Sequence, residues 1–342
     1  MKLLSVLAAG AGVAATVALV GYFGAGAVGR ALADIGVAGF VVVCLSQVAL
    51  IAVMGLAWHT LLPGSSAVHA MWGRTMRDAG SEVLPLSQVG GYVLGARALA
   101  LAGVSGTLAT ASTIVDVTLE FASQLAYTAI GLVLYMELRP DEVLGWPIAA
   151  SLGFAVAAAT GFYFVQRHGF AYIDRVAGIL GHGWADRTAA GAAALHAALV
   201  AIYRNHAGLW WCFALHLVCW IASAAQSWIA LAIAGKPLSF AAVLTIEALM
   251  HAIRTAAFFV PNAVGVQEAA YILLGTGFGL TPEMSLALSL LKRGRDFAIG
   301  LPALGLWQVL EGNRLWRRSD RGRPATVLVE PPAGGARPPP RD

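Results

Sequence analysis

Long uncharged apolar stretches alternate with short polar ones along this chain, and the apolar stretches have the length of membrane spans. Residues 3–22 and 35–57 carry no charged side chain, and about 20 apolar residues suffice to cross a hydrocarbon core of roughly 30 Å. Residues 146–165 and 207–234 read the same way, 107–136 is another long apolar helix that carries Asp116 and Glu120, and 283–310 is a further one with charges near its middle. Lys2 ahead of the first stretch also suits a secretion signal. The apolar run exceeds the ~7–15 residues of such a signal's core, which favours a retained helix. The pattern predicts an all-α polytopic membrane protein with about six to eight transmembrane helices.

Two stretches break the pattern. Residues 247–268 read EALMHAIRTAAFFVPNAVGVQE. Glu247, His251 and Arg254 recur at i, i+4 and i+7, on one helical face. Pro261, Asn262 and Gly265 then interrupt the helix, and Glu268 follows. Residues 81–97, SEVLPLSQVGGYVLGAR, repeat the theme with Glu82, Pro85, Gly90, Gly91 and Arg97, the order of the charges exchanged. A broken helix flanked by charges inside an apolar protein is costly unless it lines a cavity. Paired interruptions of this kind point to a transporter's binding site. The expectation is two re-entrant or broken helical hairpins in an inverted repeat, with Pro85 near Pro261. Glu82 should then face Arg254, and Arg97 should face Glu268.

Charges elsewhere extend the polar site. Asp116, Glu120 and Gln124 recur at i, i+4 and i+8. A carboxylate at mid-membrane costs about 2.5–3.5 kcal/mol, so this stripe should face inward, toward Arg97 or another base. Lys292, Arg293, Arg295 and Asp296 fit one helix with its charges turned inward, or two short segments meeting at a loop; we favour the former. Residues 1–312 then form the transmembrane domain. Within it, the polar insertion 166–206 reads as a pair of helices lying on the cytoplasmic surface. Residues 313–342, rich in Arg, Pro and Gly, read as a disordered basic cytoplasmic tail.

Composition narrows the function classes. The chain is 58% hydrophobic and 12% charged, where soluble domains carry about 25% charged residues. The net charge of +4 is concentrated in the tail, so no nucleic-acid footprint is expected. No phosphate-binding loop, paired-cysteine motif or His-Glu-x-x-His helix occurs, so no cofactor, metal site or ATP hydrolysis is expected, and no catalytic residue is assigned. Cys44, Cys212 and Cys219 read as buried free thiols. Lys2, Arg74, Arg77, Arg167, Arg175, Arg187, Arg204 and the tail arginines fit one side of the membrane. Arg30, Arg139 and Lys236 fit the other, which places both termini in the cytoplasm.

The segment FFVPNAVGVQEAAYILLG resembles the Pro-x-x-x-Gly-x-x-Glu pattern of the flippase-like membrane region found in lysylphosphatidylglycerol synthases and their stand-alone relatives. SEVLPLSQVGGYVLGARAL, followed by the Asp116/Glu120 helix, looks closest to the branch associated with hopanoid biosynthesis. The resemblance covers most of residues 1–312. It implies a bacterial inner-membrane protein that handles lipid, moving it between leaflets or exporting hopanoids. Residues 313–342 read as a tail, so the resemblance is not expected to extend to a soluble aminoacyl-transfer domain or to aminoacylation.

These readings converge on a lipid translocase whose cavity holds a polar or anionic headgroup. The ligand would be a hopanoid or an anionic phospholipid. The candidate lining is Glu82, Pro85, Gly90, Gly91, Arg97, Asp116, Glu120, Glu247, His251, Arg254, Pro261, Asn262, Gly265, Glu268, Lys292, Arg293 and Arg295. Two alternatives stay open. One is an accessory protein that docks hopanoid-processing enzymes at the membrane. The other is an intramembrane headgroup enzyme using Asp116 and Glu120 as acid and base.

Overall fold

A computed structural model of the chain describes residues 16–84, 87–139, 185–257 and 260–321, with isolated positions at 14, 153, 156, 157 and 160. All regular structure among these residues is helical. Three helices are long and apolar enough to cross a membrane: α1 (Ala25–His59), α4 (Gly106–Leu138) and α6 (His206–Ile233). The chain is thus an all-α membrane protein with at least three spanning helices. Most of the expected spans 146–165 and 3–22 lies outside the described residues.

Local chemistry sets the helix boundaries. The α1 helix kinks at Gly36, whose φ of 65° and ψ of −179° are not helical. Beyond the kink runs the uncharged segment predicted from the sequence. Helix α4 starts at Ser105, whose hydroxyl accepts from the amide of Leu108, and α6 starts at Asn205, whose side chain accepts from Gly208. Each cap satisfies an otherwise orphaned amide of the first turn. On α6, the exposed Trp210 and Trp211 lie about 26–27 Å along the axis from the exposed Trp228. That spacing suits two aromatic belts flanking a hydrocarbon core.

Both interrupted stretches form pairs of short helices. The first pair is α2 (Ala67–Val83) and α3 (Ser87–Leu101), with α5 (Ala185–Tyr203) later in the chain. The second pair is α7 (Phe240–Ala256) and α8 (Val266–Gly277), separated by a 3-10 turn at Pro261–Ala263. Helices α3 and α8, 15 and 12 residues long, reach about 23 Å and 18 Å, less than a bilayer core. Pro85 lies outside the described residues, so its approach to Pro261 does too. Helix α3 nevertheless touches the Pro261–Ala263 turn.

Helix α2 packs along α3 where Gly80 faces Gly91, and a Cβ on Gly91 would meet the Ser81 backbone nitrogen at 2.8 Å. In lipid, where apolar tails give helices no reason to associate, such close approach supplies the attraction.

Two apolar clusters carry these pairs. One gathers Ile35, Val43, Leu231, Ile246, Leu249, Tyr271 and Leu288 around the second pair. The other gathers Trp58, Leu61, Leu99, Val115, Leu199 and Cys212 around the first. Residues 166–184 of the expected surface pair lie outside the described residues. The remainder, α5, buries Leu199 and Ile202 against the bundle.

Helix α9 (Pro282–Arg321) is continuous through Lys292–Asp296, the first of the two arrangements considered for that segment. It continues past Asn313, where a disordered tail was expected to begin. The segment NRLWRRSDR contains no proline or glycine, and Gly322 and Pro324 follow its end. The described residues from Gly305 onward belong to a second unit.

One further expectation is corrected. Arg74 and Arg77 are 4% exposed and ion-paired inside the bundle. They are not loop charges and drop out of the orientation argument.

Candidate functional site

The sequence places charged residues on α2, α4, α7 and α9, and the fold turns them toward one another. A cavity of about 280 Å³ opens among them. Glu82, Glu120, His251, Arg254, Lys292 and Arg295 of the expected set line it, on walls that include Leu50, Ile51, Phe121 and Met250.

One wall is built from α2 and α4. Arg74 forks onto Glu120, with Nη1 3.0 Å from Oε2 and Nη2 2.8 Å from Oε1, and its Nε donates to Asp78 at 3.0 Å. Arg77 Nη1 donates to Asp116 Oδ2 at 2.5 Å, and its Nη2 pairs with Glu120. Its guanidinium also lies 4.8 Å from the centre of the Tyr92 ring on α3, a favourable placement over an aromatic face. The inward stripe of Asp116 and Glu120 thus finds its bases on α2. Arg97 is exposed on α3.

The opposite wall comes from α7, α8 and α9. Glu247 is fully buried and accepts from Lys292 Nζ at 2.5 Å, Ser227 Oγ at 2.5 Å and Tyr271 Oη at 2.8 Å. Three donors on one carboxylate are what a buried ion requires. His251 Nε2 lies 3.9 Å from the same carboxylate, and its ring meets Trp220 edge-on at 4.7 Å. Arg295 donates to Asp296 and, at 2.9 Å, to Gln226 Oε1.

The helix breaks are held by charges too. Asn262 adopts a left-handed φ of 52°, which asparagine tolerates better than most residues. Its Oδ1 accepts from Arg254 at 2.8 Å, and its Nδ2 donates to the backbone carbonyl of Glu82 at 2.6 Å. That carbonyl sits in the last turn of α2, where helix acceptors lack partners. Arg254 Nη2 also lies 2.6 Å from both Glu82 oxygens. The Glu82–Arg254 contact expected across the two interrupted stretches is therefore present.

The second expected pairing is replaced. Glu268 is buried, accepts from the Gly265 amide at 2.7 Å, and is gripped by Arg293 at 2.5 Å. Arg293 also reaches the carbonyls of Asn262 and Ala263, at 3.3 Å each. A base on α9 inside the bundle can cap the break at Gly265, whose φ is +83°. Arg97 sits on an outer face of α3.

The expected residues therefore separate by position. Asp116, Glu247, Glu268 and Arg293 lie behind the lining as partners. Gly90 and Gly91 belong to the α2–α3 packing region. Pro261, Asn262 and Gly265 shape the second break.

Sequence reasoning passed over Arg74, Arg77 and Asp78 as site residues. Their i, i+3, i+4 spacing was a usable signal, but the polar run around them reads as an interfacial segment. Gln226 and Tyr271 give no such signal inside apolar runs. Nor do Cys212 and His216, which join Asp116 in a group whose sulfur, nitrogen and oxygen atoms lie within 4.8 Å of one another. No spacing motif announced that donor set, because Asp116 and His216 are 100 positions apart.

No curated protein and no solved structure matches this chain. Residues 4–303 match the family described as the lysylphosphatidylglycerol synthase TM region. The apolar bundle, its paired broken helices and that match over most of the length agree: the chain belongs to the lysylphosphatidylglycerol synthase transmembrane-region family and is a multi-pass membrane protein of this lipid-handling, flippase-like superfamily.

Proposed function

We propose that the protein moves a lipid between leaflets of the bacterial inner membrane, with the headgroup passing through the charged cavity and the apolar body remaining in the bilayer. The observation that carries this reading is a cavity of about 280 Å³ lined by ion pairs from both interrupted stretches inside an apolar bundle. That volume sits at the small end of ligand pockets, which begin near ~300 Å³. It suits a headgroup rather than a whole lipid. An anionic headgroup would exchange with a carboxylate on Arg74, Arg254 or Arg295. For a hopanoid, the polyol end would take the polar cavity and the polycyclic body would stay among lipid tails.

The short hairpin helices and the Glu82–Arg254 contact support an inverted repeat meeting near the midplane. The enzyme alternative is disfavoured because Asp116 and Glu120 are both committed to guanidinium groups. Both termini are proposed to be cytoplasmic, on the strength of the arginines in the tail and in residues 166–206. A cysteine at position 236 should be labelled from outside intact spheroplasts, and one at position 320 should not.

Purified protein in liposomes tests the main reading. Fluorescent lipid analogues should become accessible to an impermeant quencher faster than in empty vesicles. Arg254→Gln that inserts normally should lose most of that acceleration. Wild-type protein that leaves leaflet exchange unchanged, for both hopanoid and anionic phospholipid probes, would overturn the reading and leave the accessory alternative.

A further inference from the structure

Behind the Arg77 wall lies a group of side chains that headgroup binding does not use. Asp116 on α4 and Cys212 and His216 on α6 are each fully buried, and none of them lines the cavity. Cys212 and His216 are i, i+4 neighbours on one face of α6. Asp116 Oδ1 lies 3.0 Å from His216 Nε2 and 3.5 Å from Cys212 Sγ. Metal–ligand bonds of about 2.0–2.3 Å place adjacent donors of a tetrahedral site about 3.3–3.7 Å apart. The carboxylate oxygen stands near that spacing from both the nitrogen and the sulfur, and all three atoms lie within 4.8 Å of one another.

Charge points the same way. Arg74 and Arg77 stand against Asp78, Asp116 and Glu120, so two guanidinium groups face three carboxylates in the described network. Leaving aside His216, which stands 3.0 Å from Asp116, that network is short of one positive charge, and such a deficit is expensive when buried. A dication that binds as the Cys212 thiol loses its proton adds one net positive charge and closes that gap. Arg77 does not compete for the same atom, because its Nη1 holds Asp116 Oδ2 and leaves Oδ1 toward the other donors. Ligating carboxylates are ordinarily held by an outer hydrogen bond of this kind. His216 can present the Nε2 lone pair once its proton moves to Nδ1, which has no hydrogen-bond partner among the described residues.

We propose that Asp116, Cys212 and His216 bind a divalent transition metal of borderline softness, zinc by the mixed oxygen, nitrogen and sulfur donor set. Binding forms a metal–thiolate bond and releases one proton to solvent; no electron is transferred. The ion would tie α4 to α6 and fix the carboxylate that Arg77 grips. This inference does not depend on lipid movement, so either can fail without the other.

The test is metal content and cobalt substitution in the full chain, purified through a tag without histidines and without chelator. One zinc ion per chain is expected. Replacement by cobalt should produce a thiolate-to-cobalt charge-transfer absorption. Cys212→Ser should abolish that absorption and, like His216→Gln, lower bound metal at least ten-fold, whereas the Cys44→Ser/Cys219→Ser double variant should keep both. If the site variants do not fold, wild-type protein still decides. Bound metal should slow alkylation of Cys212 at least ten-fold, and a chelator should restore it. A metal-to-protein ratio below one tenth after equilibration with zinc overturns the proposal. So does charge-transfer absorption that survives Cys212→Ser, or Cys212 alkylation indifferent to chelator.

Discussion

The contact between Glu82 and Arg254 joins the two interrupted stretches, and its strength is measurable. One guanidinium nitrogen lies 2.6 Å from both carboxylate oxygens, and the two side chains are 26% and 16% exposed. Unit charges at 4 Å interact by about 4 kcal/mol at an effective dielectric of ~20. Fully exposed pairs are worth only about 0–1 kcal/mol. The partial exposure puts the coupling between these limits, at about 2 kcal/mol.

Arg254→Met should cost about 3 kcal/mol, because it strands a half-buried carboxylate and the Asn262 carbonyl together. Glu82→Gln should cost less, since an amide oxygen can still accept from Arg254. The double variant should regain about 2 kcal/mol over the sum of the single changes. Reversible unfolding in detergent, followed for all four proteins, supplies the cycle. Losses that add to within ~0.5 kcal/mol would refute the coupling. Charge reversal, Glu82→Arg with Arg254→Glu, should recover less than the neutral pair. Asn262 would then have to turn its carbonyl toward the new carboxylate or toward the carbonyl of residue 82.

Other outcomes follow from the same geometry. Asn262→Ala should lower stability by about 2–3 kcal/mol, through two lost hydrogen bonds and a left-handed backbone that alanine tolerates poorly; Asn262→Gly should fall between it and wild type in thermal unfolding. Gly91→Val should force α2 from α3 and cost about 1–3 kcal/mol or more, seen as a lower midpoint and reduced yield of monodisperse protein. Glu247→Ala should cost about 3–5 kcal/mol by leaving Lys292 unpaired, and Lys292→Met in the same chain should restore much of that in a detergent melting assay.

How far the sequence led depends on the kind of signal each residue carries. The apolar runs that became α1 and α6 were legible because periodicity is irrelevant to a span: length without charge is enough, and α4 was legible by its length and apolarity despite its two inner carboxylates. The inward turn of Asp116 and Glu120 was legible from cost alone, since a carboxylate facing lipid is too expensive. The identity of their partner was not. Arg74 and Arg77 lie in a helix with enough polar residues to resemble an interfacial segment, and only the α2–α3 packing carries them into the bundle. The Glu82–Arg254 pair followed from the exchanged order of charges around the two breaks. The same reasoning failed for Arg97, because a helix of 15 residues presents its last turn wherever its packing dictates. Arg293 could reach Glu268 because α9 stays continuous through its charged middle, which the sequence left open.

The division between exposed and buried partners bears on how such a cavity could work. Asp116, Glu247 and Glu268 are fully buried, and each is held by several donors. Removing Glu247 would leave Lys292, and removing Glu268 would leave Arg293, without its carboxylate inside the bundle. Glu82 and Glu120 are 26% and 13% exposed and face the cavity, so their guanidinium partners are the ones an incoming anion can reach. On the proposed reading, an anionic headgroup arriving at Arg254 replaces the Glu82 carboxylate while the buried pairs remain intact. The pair it displaces is also a bond between the two hairpins, assisted by Asn262 on both. Headgroup binding would therefore loosen the contact that holds the hairpins together. Departure of the headgroup would let Glu82 neutralise Arg254 again before the empty cavity is exposed to lipid. A cavity that kept an unpaired cation when empty would face a far larger cost at that step. This gives a physical reason for the matched charges on its walls.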